Sequence, residues 1–330
     1  MPPPSNDSTF PRAEILHGPR TPDALEAYPA PEQASAFRDY FEREGFIVIR
    51  AAVPGACCEA AKNAFLKETW LDKRAYFERH ASGKHERHVY TEHGFMKYPI
   101  MNLQDISSKR YPQFKQRGLE LLTQTRIRQA MAALFGEPGR IVHTMYFDGN
   151  QTTWVHRDGD YFDSEHSGKM IGVWVAAEDI HPDAGRFFVV PTSHRVQIPG
   201  ERHHPNGPGY KAAMADYVRN GPLDCVAPIL KQGDVLLWNS LTIHGSLPTV
   251  AAQHARRSFT AHYVPQSHAF ARHLTRHRLH HSITVNEVPV LLHGDHRSLV
   301  GNFKHAVRAD YPALYRLMRG IKEALGRAAA

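Results

Sequence analysis

His156 and Asp158, separated by one residue, and His244 further along the chain offer two imidazoles and one carboxylate. This is the ligand set of mononuclear non-haem Fe(II) centres, which leaves metal positions open for a co-substrate and O2. Arg256 follows His244 and adds a guanidinium, the group that holds a carboxylate through two parallel hydrogen bonds. The four residue types together predict an iron site that takes a carboxylate-bearing co-substrate.

The His-x-Asp pattern carries little information alone, because a chain with 23 His contains it by chance. It begins at His156, His181 and His293. Pro182 follows His181 and indicates a turn between strands. We interpret His293 as a surface loop residue, because the sequence His-Gly-Asp-His around it is turn-like. Context therefore favours His156 as the ligand.

The context of His156 is a predicted β-hairpin. Residues 151–156 form a β-prone run that follows another at 141–147, across a turn of Asp, Gly and Asn. Alternate side chains of a strand point to one face, so His156 and Asp158 can reach the same ion.

His244 ends a pair of short strands predicted within residues 230–244. A lone His at a strand end is usually an ordinary polar residue. Here a Gly-Ser pair follows it, which permits close backbone approach, and the next strand brings arginine into the same interior. Strand register decides whether Arg256 or Arg257 faces inward.

The chain resembles the phytanoyl-CoA dioxygenase (PhyH) family from about residue 32 to residue 263. The order and spacing of several blocks carry the resemblance: Trp154-Val-His156-Arg-Asp158, Val173-Trp174-Val-Ala, Gly185-Arg-Phe-Phe-Val-Val-Pro191-Thr-Ser193-His194-Arg, Gly233-Asp234-Val, His244-Gly-Ser246 and Arg256-Arg-Ser.

The resemblance implies a mainly β fold with flanking helices around a double-stranded β-helix (jelly-roll, cupin-like) core. It places the iron ligands at His156, Asp158 and His244, and the grip on 2-oxoglutarate at Arg256. Ser246 and Trp174 match positions that line the co-substrate site. The implied enzyme is a hydroxylase that uses Fe(II), 2-oxoglutarate and O2 and releases succinate and CO2, with no catalytic group beyond the iron centre.

Two departures from the family pattern bear on the reaction and substrate. Val155, where many members have an aromatic residue, precedes the first histidine, and Arg157 replaces a common Gln. Arg157 either places a cation at the pocket mouth, which would favour an anionic substrate, or points to solvent. The carboxylate at Asp158 favours hydroxylation, because halogenating relatives carry a small residue there.

Helices are predicted outside the barrel at residues 32–44, 54–70 and 116–135, with a strand at 46–50. Residues 71–112 form either a substrate wall or a surface connection, and Lys97 and Asn102 are its candidate substrate contacts. Residues 196–227, with a short helix near 212–218, form either a lid over the substrate or a passive insertion.

We divide the chain into a loosely ordered arm at 1–31, an oxygenase jelly-roll domain at 32–265 and a basic, His-rich extension at 266–330. The extension ends in an amphipathic helix packed on the same domain. An apolar stripe on this helix could pack in the core or form a partner interface, and we predict core packing. Its members are Leu314, Leu317, Met318, Ile321 and Leu325.

The chain has 330 residues and 42% hydrophobic content, which agrees with one large barrel domain that carries helical additions. Three cysteines make no disulfide framework, and we expect a cytoplasmic protein without membrane insertion. The net charge of +7 favours a small polar or anionic metabolite as substrate. No nucleic-acid partner is expected, since no base-stacking motif is present, and the sequence sets no oligomeric state.

Two other functions are compatible with the fold. One is a jelly-roll iron enzyme that does not use 2-oxoglutarate, against which Arg256 argues. The other is a non-catalytic metal-binding barrel that acts as a binding or sensing protein. The intact set of three ligands argues against it, because loss of function would first remove ligands.

Overall fold

A large, mostly antiparallel β-sheet forms the centre of the molecule. The computed structural model describes residues 28–78, 85–151, 153–197, 208–272, 275–276, 281–293 and 299–328. The strands in these ranges are β1 (Phe46–Ile49), β2 (Tyr76–Glu78), β3 (His85–Arg87), β4 (Ile100–Met101), β5 (Gly139–Phe147), β6 (Phe162–Ser164), β7 (Ile171–Ala176), β8 (Phe187–Val189), β9 (Val235–Asn239), β10 (His244–Ser246), β11 (Ser258–Pro265), β12 (Phe270–Arg272), β13 (Thr275–Arg276), β14 (Ser282–Val285) and β15 (Val288–Leu291). The helices are α1 (Ala34–Glu44), α2 (Gly55–Ala64), α3 (Pro112–Leu122), α4 (Thr125–Phe135), α5 (Pro208–Asn220), α6 (Leu299–Asp310) and α7 (Pro312–Ala328).

The large sheet has the order β1-β9-β7-β11-β5-β15-β14, with β4 also paired to β5. Smaller sheets are formed by β10-β8 and by β13-β12-β6, and β2-β3 is a separate hairpin. Strands β7 and β11 are buried at every position, and β9 at every position but its last. One face of the sheet packs in the core with the helices, and on the other face β7 and β9 pack against β8.

Strand β11 illustrates how the two faces differ. Phe259, Ala261 and Tyr263 belong to the core beneath the helices. The alternate residues, which include Thr260 and His262, therefore point to the interior between the sheets. Aromatic and aliphatic residues make up the helix side, whereas the interior side carries buried polar groups.

The N-terminal helices follow the predicted pattern closely. The predicted helix 32–44 is α1, the strand 46–50 is β1, and the helix 54–70 is α2 continued by a π-helical segment at Phe65–Trp70. The predicted single helix at 116–135 is wrong. It is two helices, α3 and α4, because Thr123 takes φ −110° and ψ 22° and its hydroxyl binds the carbonyl of Leu119 at 2.8 Å.

The hairpin prediction around His156 is only half right. Strand β5 forms, but the described part of residues 151–156 contains no second strand, and His156 makes a single β-bridge to His244. His293 is also not a simple surface residue, since its side chain is partly buried and its Nε2 binds the carbonyl of Val142.

Two observations concern the C-terminal extension. Strands β14 and β15 join the large sheet, with β15 parallel to β5. The prediction that the α7 stripe packs in a core is wrong for the four described side chains, which are 45–61% exposed: Leu314, Leu317, Met318 and Ile321. The side chain of Leu325 and most of the arm 1–31 lie outside the described residues. Among the described helices, none has the length and apolar character to cross a membrane.

Candidate metal centre

Backbone pairing brings His156 and His244 side by side. The amide of each donates to the carbonyl of the other at 3.0 Å, and the ring centroids are 4.3 Å apart. Asp158 begins the short 3-10 turn Asp158–Asp160 directly after this bridge. One ligand atom from each of the three residues lies within 4.8 Å of the others, so the structure brings the three predicted ligands together.

The two imidazoles are oriented in the same way. Nδ1 of His156 donates to the carbonyl of Trp154 at 2.7 Å, and Nδ1 of His244 donates to the carbonyl of Thr242 at 2.9 Å. The proton therefore sits on Nδ1 of each ring, and the Nε2 lone pair is left for a metal ion. The Nε2 atoms of His156 and His244 lie 3.4 and 3.6 Å from Oδ1 of Asp158.

Burial sets the charge of these groups. Burial lowers the pKa of His244 to about 4, against the opposing effect of Asp158, so this ring is neutral near pH 7. Burial would by itself raise the pKa of Asp158. The neighbouring imidazoles, among them His262, which hydrogen-bonds to the carboxylate, hold that pKa well below its usual range. A neutral imidazole and an ionised carboxylate are the forms that bind a metal.

The second oxygen of Asp158 has two donors of its own. The indole Nε1 of Trp238 lies 2.8 Å from Oδ2, and Nε2 of His262 lies 3.1 Å from it. The large sheet makes room for the indole at Gly172, where a Cβ atom would lie 2.1 Å from Trp238 Cε2. The sequence reading missed Trp238 and His262. Period-two counting from Arg256 along β11 would have placed His262 on the inward face.

A row of buried polar groups continues this inward face. Arg256 is 4% exposed, and its guanidinium donates to the carbonyls of Gly185 and Gln151. Arg256 Nε, Ser258 Oγ and Thr260 Oγ1 are buried and have no hydrogen-bond partner in the described part of the chain. Burial lowers the pKa of Arg256 to about 10, which leaves the guanidinium charged at neutral pH.

Arg257 points the other way. Its guanidinium lies 2.9 Å from Asp148 and 3.0 Å from Glu178. Both carboxylates are at least partly buried, so the cation of Arg257 is already neutralised by protein groups. Of the two adjacent arginines, Arg257 is paired with carboxylates, whereas Arg256 is buried on backbone carbonyls.

Ser246 and Trp174 lie on strands that border the same interior. Ser246 Oγ accepts a hydrogen bond from the amide of Thr153 at 2.6 Å. Trp174 pairs with Thr260 in the sheet register, and its ring centroid lies 6.1 Å from that of Phe187. Phe187 is in turn the register partner of Ser246.

The candidate substrate contacts lie in different surroundings. Arg157 is 6% exposed, and Asp160 accepts hydrogen bonds of 3.0 and 2.8 Å from its Nε and Nη2. It is therefore neither a free cation nor exposed to solvent. The Lys97 ammonium lies 5.7 Å from the ring centroid of Tyr98, and Asn102 adopts left-handed backbone angles with φ 53°.

Asn102 borders a cavity of about 90 Å³ next to helix α6. Imidazoles connect this cavity to the ligands: ring centroids are 5.9 Å apart for His293 and His143 and 5.4 Å apart for His143 and His262. Basic and polar groups form much of its wall, among them His85, His293, His305, Arg110, Arg308, Tyr76 and Ser107. Burial, followed by the charges of Arg308 and His305, lowers the pKa of His85 to about 4.

A jelly-roll interior with two histidines joined by a β-bridge and an aspartate directly after it defines a non-haem iron oxygenase. The chain belongs to the phytanoyl-CoA dioxygenase (PhyH) family, whose sequence pattern it matches over residues 41–258. Family and ligand set together make it a 2-oxoglutarate-dependent oxygenase. No curated protein matches the sequence.

Solved structures share the fold at low identity. The epimerase SnoN, solved with Fe3+, alpha ketoglutarate and nogalamycin RO, matches with a TM-score of 0.55 and 18% identity, over 80% of this chain and 97% of its own. The carbocyclase SnoK from nogalamycin biosynthesis matches at 0.54 and 16%, over 75% and 90% of the two chains. EctD from S. alaskensis, in its apoform, matches at 0.51 and 18%, over 85% and 93%. SnoN and SnoK are named for different reactions, so the fold alone does not define the reaction outcome.

Proposed function

We propose that this protein hydroxylates a small or medium-sized polar metabolite, using Fe(II) and 2-oxoglutarate and releasing succinate and CO2. The observation that carries the proposal is the buried guanidinium of Arg256, held by the carbonyls of Gly185 and Gln151 in the segments that lead to β8 and to His156. Among the described residues no carboxylate pairs with it. An uncompensated buried charge is unfavourable, and an anionic co-substrate would offset it.

The residues present fit both groups. His156 and His244 each keep an Nε2 lone pair for iron, and Asp158 adds an oxygen of the kind that Fe(II) binds. The unpartnered polar atoms of Arg256 and Ser258 are suited to a carboxylate of 2-oxoglutarate. When bound, iron and 2-oxoglutarate supply the power to oxidise an unactivated C–H bond with O2.

The protein contributes position and exclusion of water. Helix α5 packs over the ligands through Tyr210, whose hydroxyl donates to Asp160 at 2.6 Å, two residues beyond Asp158. Tyr210, Met214 and Val218 of this helix are buried in one cluster with Val155, next to His156. This packing supports the lid interpretation of residues 196–227, of which α5 is the described helical part.

A polar substrate is supported by the cavity beside α6. Its wall combines guanidinium, imidazole and hydroxyl groups with the carboxylates of Glu78 and Asp105. Such a wall offers both donors and acceptors, which suits a polar molecule better than a hydrocarbon chain. Residues 76–78 and 101–111 contribute to it, in line with the substrate-wall alternative for residues 71–112.

Anaerobic titration tests the proposed co-substrates. Fe(II) is added to the apo-protein and 2-oxoglutarate follows, while the visible metal-to-ligand charge-transfer band is recorded. We expect a band in the wild type, no iron binding in Asp158→Ala, and weaker 2-oxoglutarate binding in Arg256→Met. Arg257→Met is the matched control and should keep the wild-type 2-oxoglutarate affinity. A wild type without the band would refute the proposal. If the band appears, succinate release in air would identify accepted substrates among candidate metabolites.

A further inference from the structure

The carboxylate of Asp158 is held so that its two oxygens have different partners. Oδ1 lies 3.4 and 3.6 Å from Nε2 of His156 and His244. Oδ2 accepts hydrogen bonds from Trp238 Nε1 at 2.8 Å and from His262 Nε2 at 3.1 Å. One oxygen therefore faces the place of the metal, while the other is bound by the protein.

We propose that His262 and Trp238 are positioning residues that make Asp158 a one-oxygen ligand of the iron, and that His143 fixes the tautomer of His262 for this purpose. The inference rests on the proposed iron site. It assigns a role to side chains that do not themselves contact the metal.

The proton positions follow from the partners. An ionised carboxylate only accepts hydrogen bonds, so Nε2 of His262 must carry its proton. When the ring is neutral, its Nδ1 has a lone pair, and Nδ1 of His143, 3.3 Å away, then acts as the donor. The order of donation is therefore His143 to His262 to Asp158.

The rings that hold Asp158 cannot easily turn. His262 is 1% exposed and Trp238 is 2% exposed. Phe162 packs edge-on to His262 with ring centroids 4.9 Å apart. The indole of Trp238 fills the space that a side chain at Gly172 would otherwise take. Tight packing keeps side chains in one rotamer, so both donors are oriented before any metal binds.

This arrangement has a consequence for coordination. A carboxylate free to rotate can bind a metal through both oxygens, and it would then occupy a position that a co-substrate needs. Donors on Oδ2 compete with that binding mode. His262 is treated as a partner of Asp158 and not as an additional ligand, because its Nε2 is engaged by Oδ2 of Asp158 at 3.1 Å.

Metal affinity tests the inference independently of turnover. Dissociation constants for Fe(II) and Co(II) are measured anaerobically by competition with a chelator in wild type, His262→Phe, Trp238→Phe and His262→Gln. Loss of an outer partner of a ligand typically weakens metal binding by about 10- to 100-fold. We expect a loss of that size in His262→Phe and Trp238→Phe. His262→Gln, which keeps an N–H donor, should retain most of the wild-type affinity.

Tyr263→Phe is the matched control. Tyr263 is the next residue of β11, is equally buried, and loses one hydrogen bond, to Leu122, on the opposite face. It should lower the melting temperature of the apo-protein without changing metal affinity. Wild-type affinity in folded His262→Phe and Trp238→Phe would overturn the inference and leave the iron site standing. A wild type that binds no Fe(II) would instead refute the proposed function. If His262→Phe does not fold, Trp238→Phe and His262→Gln decide the question.

Discussion

His156 and His244 exchange two backbone hydrogen bonds of 3.0 Å across a single β-bridge, although they lie in different parts of the chain. The bridge fixes the two ligand backbones before any metal arrives. Each ring is then turned by the carbonyl two residues earlier in its own segment, that of Trp154 or Thr242. The two candidate histidine ligands are thus placed by main-chain contacts, whereas Asp158 is held by the side chains of Trp238 and His262.

Gly172→Ala should damage the site through Trp238, because Gly172 of β7 and Trp238 of β9 are register partners in the large sheet. A Cβ atom at this position would lie 2.1 Å from Trp238, so the indole must move away from Asp158. Overpacking of this kind costs about 1–3 kcal/mol of unfolding free energy. We expect that loss in denaturant unfolding, together with weaker Co(II) binding.

Gly320→Ala provides the comparison for that prediction. Gly320 lies in α7, and an added Cβ would meet nothing within 4 Å. Alanine favours a helix over glycine by about 1 kcal/mol, so this variant should be as stable as wild type or more stable. Unchanged stability in Gly172→Ala would show that the indole can relax, contrary to our expectation.

Arg256→Met and Arg257→Met should change different properties, the KM for 2-oxoglutarate in the first and the unfolding stability in the second. Arg256→Met should raise the KM for 2-oxoglutarate, since the variant loses the cation on the inward face. Arg257→Met leaves Asp148, whose side chain is 1% exposed, without its ion-pair partner. Removing one member of a buried pair costs about 3–5 kcal/mol. The second variant should therefore lose stability, measured in urea, while keeping the KM.

The stability loss of Arg257→Met should depend on pH. Burial already raises the pKa of Asp148, and the amide of Met96 and Arg257 oppose that rise. Without Arg257 the folded-state pKa rises further, so ionisation of Asp148 penalises folding more. When the pKa of a carboxyl is higher in the folded state than in the unfolded state, its ionisation lowers the free energy of unfolding at a pH above the unfolded-state pKa. Below that pKa the carboxyl is protonated in both states and the loss disappears. We expect the difference from wild type to shrink as the pH falls towards 4, in unfolding curves recorded across that range.

The sequence predicted the ligands because their chemistry and strand context are local. His156 and Asp158 are one residue apart, and a Gly-Ser pair marks the approach at His244. Trp238 and His262 act through sheet register between distant strands, which a single sequence does not specify. The helix break at Thr123 was missed for a different reason. It lies in the non-helical backbone angles of Thr123 and Gln124, which the residue types along the sequence do not specify.

The exposed stripe of α7 leads to a prediction about stability. Leu317 and Ile321 are 61% and 53% exposed, so truncating them removes little buried surface. Leu317→Ala and Ile321→Ala should each change the unfolding free energy by less than about 0.5 kcal/mol. Phe114→Ala, in the core beneath the helices, is the buried comparison and should cost about 3–5 kcal/mol. Large losses in the α7 variants would mean that another surface covers the stripe in solution.

Tyr210→Phe should uncouple α5 from the iron site. The substitution removes the hydroxyl that donates to Asp160 at 2.6 Å and accepts from the amide of Arg157 at 3.2 Å. It keeps the ring packed edge-on to Tyr161, at a centroid distance of 6.1 Å, so the fold should lose only about 1 kcal/mol. Hydrogen exchange in residues 208–220 should become faster, because the helix loses its polar anchor to the segment that carries Asp158. If α5 acts as a lid that excludes water, the variant should also release more succinate per hydroxylated product than wild type.

Tyr217→Phe, on the same helix, is the matched control and should change neither the hydrogen exchange nor the ratio of succinate to product. Faster hydrogen exchange with an unchanged ratio of succinate to hydroxylated product would mean that α5 packs on the domain but does not act as a lid.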